Sequence, residues 1–277
     1  MKKAFIFLAA IALLVVACNK EEELVNPGDE DNPVDTSYVD PFDTTLGDGL
    51  IHNALRDYDG NTYDALRLGR QIWMASNLRT THYANGQEIQ VGDTINDVLP
   101  FCHPPHEDMT TFGYYYNWPA VMDGSKEGSN TNPSGIQGVC PDGWHLPSDA
   151  EWVELLTYIG SKSEYVCSGN VANVSKALAT DYGWVENYGY NLCNVSCNVN
   201  ENNATGFSAY PTGQCRPGLS NVYQGVRLET YFWTTTVNEN IPFGYNICSR
   251  TITCDQSIVD RSYSRPGQYY SVRCLKD

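Results

Sequence analysis

An α+β domain with its helices and strands segregated along the chain is what residues 51–277 predict, on three observations. Apolar arms flank an Asp-Gly turn near residue 60, an amphipathic repeat follows Pro147, and short strand-like runs alternate with Gly, Pro and Asn turns beyond residue 203.

The first element is a hairpin over 55–74. Asp57-Tyr58-Asp59-Gly60-Asn61 supplies residues that tolerate positive φ, and the return arm runs through Tyr63, Ala65, Leu66 and Leu68. A second short turn at Gly69-Arg70 leads into Ile72-Trp73-Met74. The second element is a helix over about 148–159. Ser148-Asp149-Ala150-Glu151 reads as a capping box, with Ser148 accepting from the amide three residues on and Glu151 reaching back. Trp152, Leu155, Leu156 and Ile159 then form one apolar stripe, and Gly160 reads as the stop. A weaker helical pattern spans 171–180, with Val171, Val174 and Leu178 on one side. The later strands are expected at 206–210, 226–228, 231–236, 245–248 and 269–274.

What precedes the domain addresses it. Met1-Lys2-Lys3 is followed by an uncharged apolar run, Ala4 to Ala17. As a helix it would cover only ~21 Å of a ~30 Å hydrocarbon core, which is short for a membrane span and suits a secretory signal. The run ends in Val15-Val16-Ala17-Cys18, the small-residue-then-cysteine pattern of a lipoprotein signal, so residues 1–17 are expected to be removed and Cys18 to carry the lipid. Asn19-Lys20-Glu21-Glu22-Glu23 resembles the acidic export signal of surface lipoproteins of Bacteroidetes, and implies the outer face of the outer membrane. Residues 18–50, acidic and poor in apolar side chains, read as a disordered tether.

The chain carries a net charge of −16. That balance repels phosphate backbones and anionic headgroups, so nucleic acid is excluded as a partner and the membrane is met through the N-terminal lipid alone. A glycan or a protein ligand remains open, as does the oligomeric state.

Nine cysteines follow Cys18, at 102, 140, 167, 193, 197, 215, 248, 254 and 274. In an oxidising space disulfides come first, and the odd number leaves at least one thiol unpaired. Cys193 with Cys197, and Cys248 with Cys254, are near enough in sequence to staple loops; the remaining connectivity cannot be read from spacing.

Several segments together resemble one family. They are Gln71-Ile72-Trp73-Met74-Ala75-Ser76-Asn77-Leu78, Gly113-Tyr114-Tyr115-Tyr116-Asn117-Trp118, the block from Gly138 to Trp152, Thr205-Gly206-Phe207-Ser208-Ala209-Tyr210, and Ser271-Val272-Arg273-Cys274-Leu275-Lys276. In this order they are similar to the Fibrobacter succinogenes major paralogous domain of exported proteins and lipoproteins, a family that implies no particular activity. His145-Leu146-Pro147-Ser148-Asp149-Ala150-Glu151-Trp152 is also similar to the helix start of the formylglycine-generating-enzyme group. That second likeness implies a single C-type-lectin-like domain with short antiparallel strands and long disulfide-stapled loops, and a bridge from Cys140 to Cys274.

Catalytic constellations are sparse. Neither cysteine pair falls in a segment matching that group's copper-binding motif, so no catalytic residue carries over. Gly206-Phe207-Ser208-Ala209-Tyr210 lacks the closing glycine of a serine nucleophile elbow. Cys102-His103-Pro104-Pro105-His106-Glu107-Asp108 gathers ligand types, yet the Pro-Pro step hinders closing both histidines on one ion, and an exposed loop with a disulfide at Cys102 is the preferred reading. Asp57 to Asn61 places its glycine fourth, where a calcium loop needs it sixth, so a tight turn is expected. No metal or cofactor is therefore assigned.

Binding through aromatic faces remains. Tyr114, Tyr116, Trp118 and Trp233 could stack on sugar rings, against the competing reading that strand alternation turns them inward. Tyr188, Tyr190, Tyr223, Tyr263, Tyr269 and Tyr270 are expected to be the more exposed set. The expected function is a non-catalytic surface module for a glycan or protein partner. An exported polysaccharide hydrolase and a structural envelope or appendage component are the alternatives.

Overall fold

The computed structural model describes residues 39–125, 127–241 and 244–277. The signal, Cys18 and the tether as far as residue 38 lie outside the described residues. The compact unit begins at Asp40, earlier than the boundary expected near residue 51. The reason is local: the Arg67 guanidinium donates to the carbonyls of Gly47 and Pro41, and Asp43 caps a single 3-10 turn, Thr44–Leu46.

Mixed α/β architecture results, with small sheets and few helices. The largest sheet has five antiparallel strands in the order Gly49–Arg56, Thr62–Leu68, Gln71–Met74, Leu275–Lys276, Trp144–His145. The expected hairpin is its first part. Asp57 closes the turn with its own carboxylate, which accepts from the Asn61 N–H at 2.9 Å, the Asn61 amide at 2.8 Å and the Tyr63 hydroxyl. Those oxygens are thereby spent inside the turn. A second sheet packs Glu229–Val237, Ile247–Thr253 and Asp260–Ser264 antiparallel, and two smaller sheets hold Gln90–Val91, Phe101–His103 and Tyr115–Tyr116, and Gln214–Cys215 with Tyr223–Gln224.

The main helix runs Asp149–Gly160 behind a complete capping box: Ser148 Oγ accepts from the Glu151 N–H and the Glu151 carboxylate accepts from the Ser148 N–H. Asp149 clamps the helix start to the second sheet, pairing with Arg250 at 2.6 Å and Arg261 at 2.5 Å. Gly160 does not stop the helix; it is its last residue. A Cβ there would lie 2.5 Å from the Val171 carbonyl oxygen, so close approach of a neighbouring loop is what requires glycine. Of the weaker pattern over 171–180 only one turn, Ser175–Leu178, is helical, and Val171 is exposed. The segments 206–210 and 226–228 form no strands. The first folds back on that turn instead, through Thr205 and Ala209 amides donating to the Ala177 and Leu178 carbonyls.

Two bridges cross the domain. Cys140 joins Cys274, the pairing the resemblance implies, and Cys167 joins Cys193. The local staples Cys193 with Cys197 and Cys248 with Cys254 are corrected: Cys193 is taken by Cys167, and Cys197, Cys248 and Cys254 are free thiols. Cys248 points its sulfur at Asp149 in the core, 3.2 Å from the carboxylate.

His145 is buried between two carboxylates, at 2.7 Å from Glu151 and 2.7 Å from Asp277. Burial works against its charge, but the hydrogen bonds to Glu151 and Asp277 outweigh it and raise the imidazole above its usual value of 6.5. A folded-state value above the unfolded one contributes stability that is complete below that unfolded value and is lost as the pH climbs through the raised one. Thermal melts taken from about pH 5.5 to about pH 8.5 should show this loss, and His145→Gln should flatten it.

Candidate functional site

An open trough of about 780 Å³ lies beside the first hairpin. It is lined by residues of Gly49–Arg56 and Thr62–Leu68, by Ala75-Ser76 and by the loop 203–208. Its polar lining comes from Asn53, Asp64, Ser76, Asn203 and Ser208, with Asp48 and Tyr165 at one end, and no Lys or Arg lines it.

Strain gathers here. Of the eight non-glycine residues with positive φ among the described residues, Asn53 (φ 50°), Asn203 (φ 68°) and Ser208 (φ 55°) all line the trough. Asn53 sits where the pairing of the first two strands shifts register between Ile51 and Leu55, a bulge that re-aims the strand edge. Such a conformation costs about 1 kcal/mol or more unless its surroundings enforce it, and it clusters at working surfaces. The enforcement is visible. The Asn53 N–H donates to Asp64 Oδ1 at 2.8 Å, and the Asn203 amide holds Ser208 twice, through the Ser208 N–H at 2.9 Å and its hydroxyl at 3.0 Å. Asn53→Gly should therefore raise the unfolding free energy, by up to ~1 kcal/mol in denaturant titration, because glycine adopts the same φ freely.

Behind the loop stands Arg273, fully buried with no carboxylate beside it. Its guanidinium donates to Asn77 Oδ1 and to the carbonyls of Met74, Phe207 and Ser208, all at 2.8–2.9 Å. The rings of Phe207 and Phe232 lie 4.8 and 5.7 Å from it. Burial pulls the guanidinium down to about 9, so it is charged at neutral pH. One buried cation thus fixes, from the inside, the carbonyl of Ser208 in the trough's lining and that of its buried neighbour Phe207. Gly206, at φ 76°, belongs to the same lining, where a Cβ would come within 3.3 Å of Leu66.

The Asp48 carboxyl at one end of the trough is not set up as a proton donor. Burial pushes the Asp48 carboxyl up, but the bonds from the Tyr158 hydroxyl, the Gly69 N–H and the Tyr165 hydroxyl outweigh it and leave the group below the usual carboxylate range. General-acid work on a glycosidic oxygen needs a carboxyl shifted the other way.

The aromatic platforms expected from sequence lie elsewhere. Tyr116, Trp118 and Trp233 are core residues, with polar tips satisfied by backbone: Tyr116 donates to Thr80 O, Trp118 to Thr234 O and Trp233 to Tyr116 O. Tyr114 is half-buried against the same core, and none of the four lines the trough. Of the tyrosines expected to be exposed, Tyr188 and Tyr190 are; Tyr269 and Tyr270 are buried, and Tyr223 and Tyr263 are intermediate. Nor does Cys102 form a disulfide. It is a buried free thiol facing the Ile89 carbonyl, and burial pushes it up to about 12. His103 and His106 pack against the ring of Tyr223, at 5.7 and 4.8 Å. Among the described residues no three His, Cys, Asp or Glu side chains converge on a common point suited to a metal ion, and no helix is long and apolar enough to cross a membrane.

The polar trough was missed because its makers are ordinary Asn and Ser residues. The only prior signal is that asparagine tolerates left-handed backbone at turns, as at Asn202-Asn203 before Gly206.

Fold and trough together define a disulfide-bridged mixed α/β domain that presents an open polar concavity. Residues 66–276 match the Fibrobacter succinogenes major domain, and the chain belongs to that family. No curated protein and no solved structure is matched.

Proposed function

We propose that this protein is a non-catalytic binding module, displayed on the cell surface as a lipoprotein, that takes a glycan or a protein partner in the trough. The observation that carries the reading is the gathering of three left-handed polar residues on one concave surface, held in place by Asp64, Asn203 and the buried Arg273. Backbone kept in a costly posture on a rigid scaffold is pre-organisation, which suits a surface that recognises a ligand. The Asp48 carboxylate, held below the usual range rather than poised as an acid, supports the non-catalytic half.

The address rests on Cys18 and the acidic stretch after it. The finer reading of the fold as C-type-lectin-like is supported by the Cys140–Cys274 bridge, which ties the segment before the main helix to the last strand. A glycan array and an extracellular-matrix binding screen with the full chain test the function: a hit weakened by Asn203→Ala is expected, and silence on both overturns it. Mass spectrometry of protein from membranes should find an acylated Cys18 as the first residue.

A further inference from the structure

We infer that the trough selects an uncharged, hydroxyl-rich chain, a neutral oligosaccharide, and rejects acidic glycans. The inference rests on the trough being the binding site, and concerns what that site admits.

Its lining carries two carboxylates, Asp48 and Asp64, and not one basic side chain. A uronate, sulfate or phosphate entering it would lose water, meet like charge and find no cation, a combination that is strongly unfavourable in a partly desolvated site. Hydroxyl groups fare differently. Asp64 uses Oδ1 on the Asn53 N–H and Oδ2 on His52, and each carboxylate oxygen retains a second acceptor direction. Ser76 and the amide of Asn53, neither of them tied by a side-chain hydrogen bond, add donors and acceptors in the mixture that a sugar diol needs.

A protein partner fits less well. Protein interfaces draw their energy from aromatic, Met and Arg anchors seated in apolar pockets. Here the one large apolar side chain standing exposed at the rim is Leu50, 48 % accessible. The volume of about 780 Å³ is that of a small-ligand cleft rather than a flat protein footprint. A net charge of −16 over the whole chain reinforces the bias against anions at longer range.

The test is titration of the full chain with a panel of neutral hexasaccharides of glucose, mannose, galactose and xylose, and with hexagalacturonate, followed by calorimetry and by amide NMR signals of residues 50–53 and 203–208. At least one neutral sugar is expected to shift those signals and to bind about tenfold or more tighter than hexagalacturonate. Leu50→Lys, a change at an exposed rim position, should narrow that gap about tenfold; Asp64→Asn, which removes a charge from inside the trough and keeps an acceptor for the Asn53 N–H, should narrow it several-fold. Hexagalacturonate binding at these residues as tightly as any neutral sugar overturns the charge selection while leaving the trough as the site. No shift at these residues with either class overturns the trough itself. Neutral-sugar binding that moves other signals and ignores both variants overturns both.

Discussion

Arg273→Met should destabilise the domain by about 4 kcal/mol or more, lowering the melting temperature by ~10 °C or more. Methionine has comparable reach and would fill much of the space between Phe207 and Phe232. It would nonetheless strand four buried acceptors: Asn77 Oδ1 and the carbonyls of Met74, Phe207 and Ser208. An unmade hydrogen bond in the interior costs about 1–3 kcal/mol, and the four acceptors here belong to two chain segments, 74–77 and 207–208, that this side chain ties together. Arg273→Lys keeps the charge yet offers a single ammonium where a planar fork is needed, so it should fall between wild type and Met. The discriminating measurement is paired: denaturant midpoint, and NMR signals of residues 203–208. A Met variant that melts like wild type would mean that the guanidinium is a passenger in the core.

Opening the Cys140–Cys274 bridge is expected to have an effect of similar size. The two cysteines are 134 residues apart, and loop closure over that length constrains the unfolded chain by ~5 kcal/mol, against ~3.5 kcal/mol for the 26-residue separation of Cys167 and Cys193. Substituting both members of the first pair by serine should therefore lower the melting temperature by ~10–20 °C, and the second pair by less. The order of the two losses is the expected result. An equal or reversed order would indicate that the unfolded chain already keeps the ends of the long loop together.

Local chemistry was the legible part. The capping box at Ser148 and Glu151, the Asp57 turn and the apolar stripe of the main helix are all set by residues within a few positions of one another, so sequence periodicity reports them directly. Family motifs added the Cys140–Cys274 relation, which spacing alone leaves undetermined. The losses came where distant packing decides. Gly160 resembles a terminator by type, but its true constraint is the carbonyl of Val171, ten or so residues onward and in another loop. Cys193 had a nearer cysteine at Cys197, yet the fold delivers Cys167 to it. The trough was illegible because it depends on φ angles of Asn53, Asn203 and Ser208 and on an arginine that is remote in sequence from all three. The aromatic residues that drew attention to a sugar platform turned out to be the core against which the smaller sheets are built.

The place of Leu275–Lys276 in the five-stranded sheet has a consequence for how the molecule comes into being. These residues lie between Gln71–Met74 and Trp144–His145, and Leu275 pairs with Trp73 and His145, 202 and 130 positions before it. A polypeptide emerging N-terminus first from a ribosome or a translocation channel can form its early hairpin at once, yet cannot close that seam until the long intervening stretch has also emerged. The early hairpin therefore waits for a distant strand, and Leu275–Lys276 act as the latch that completes the sheet.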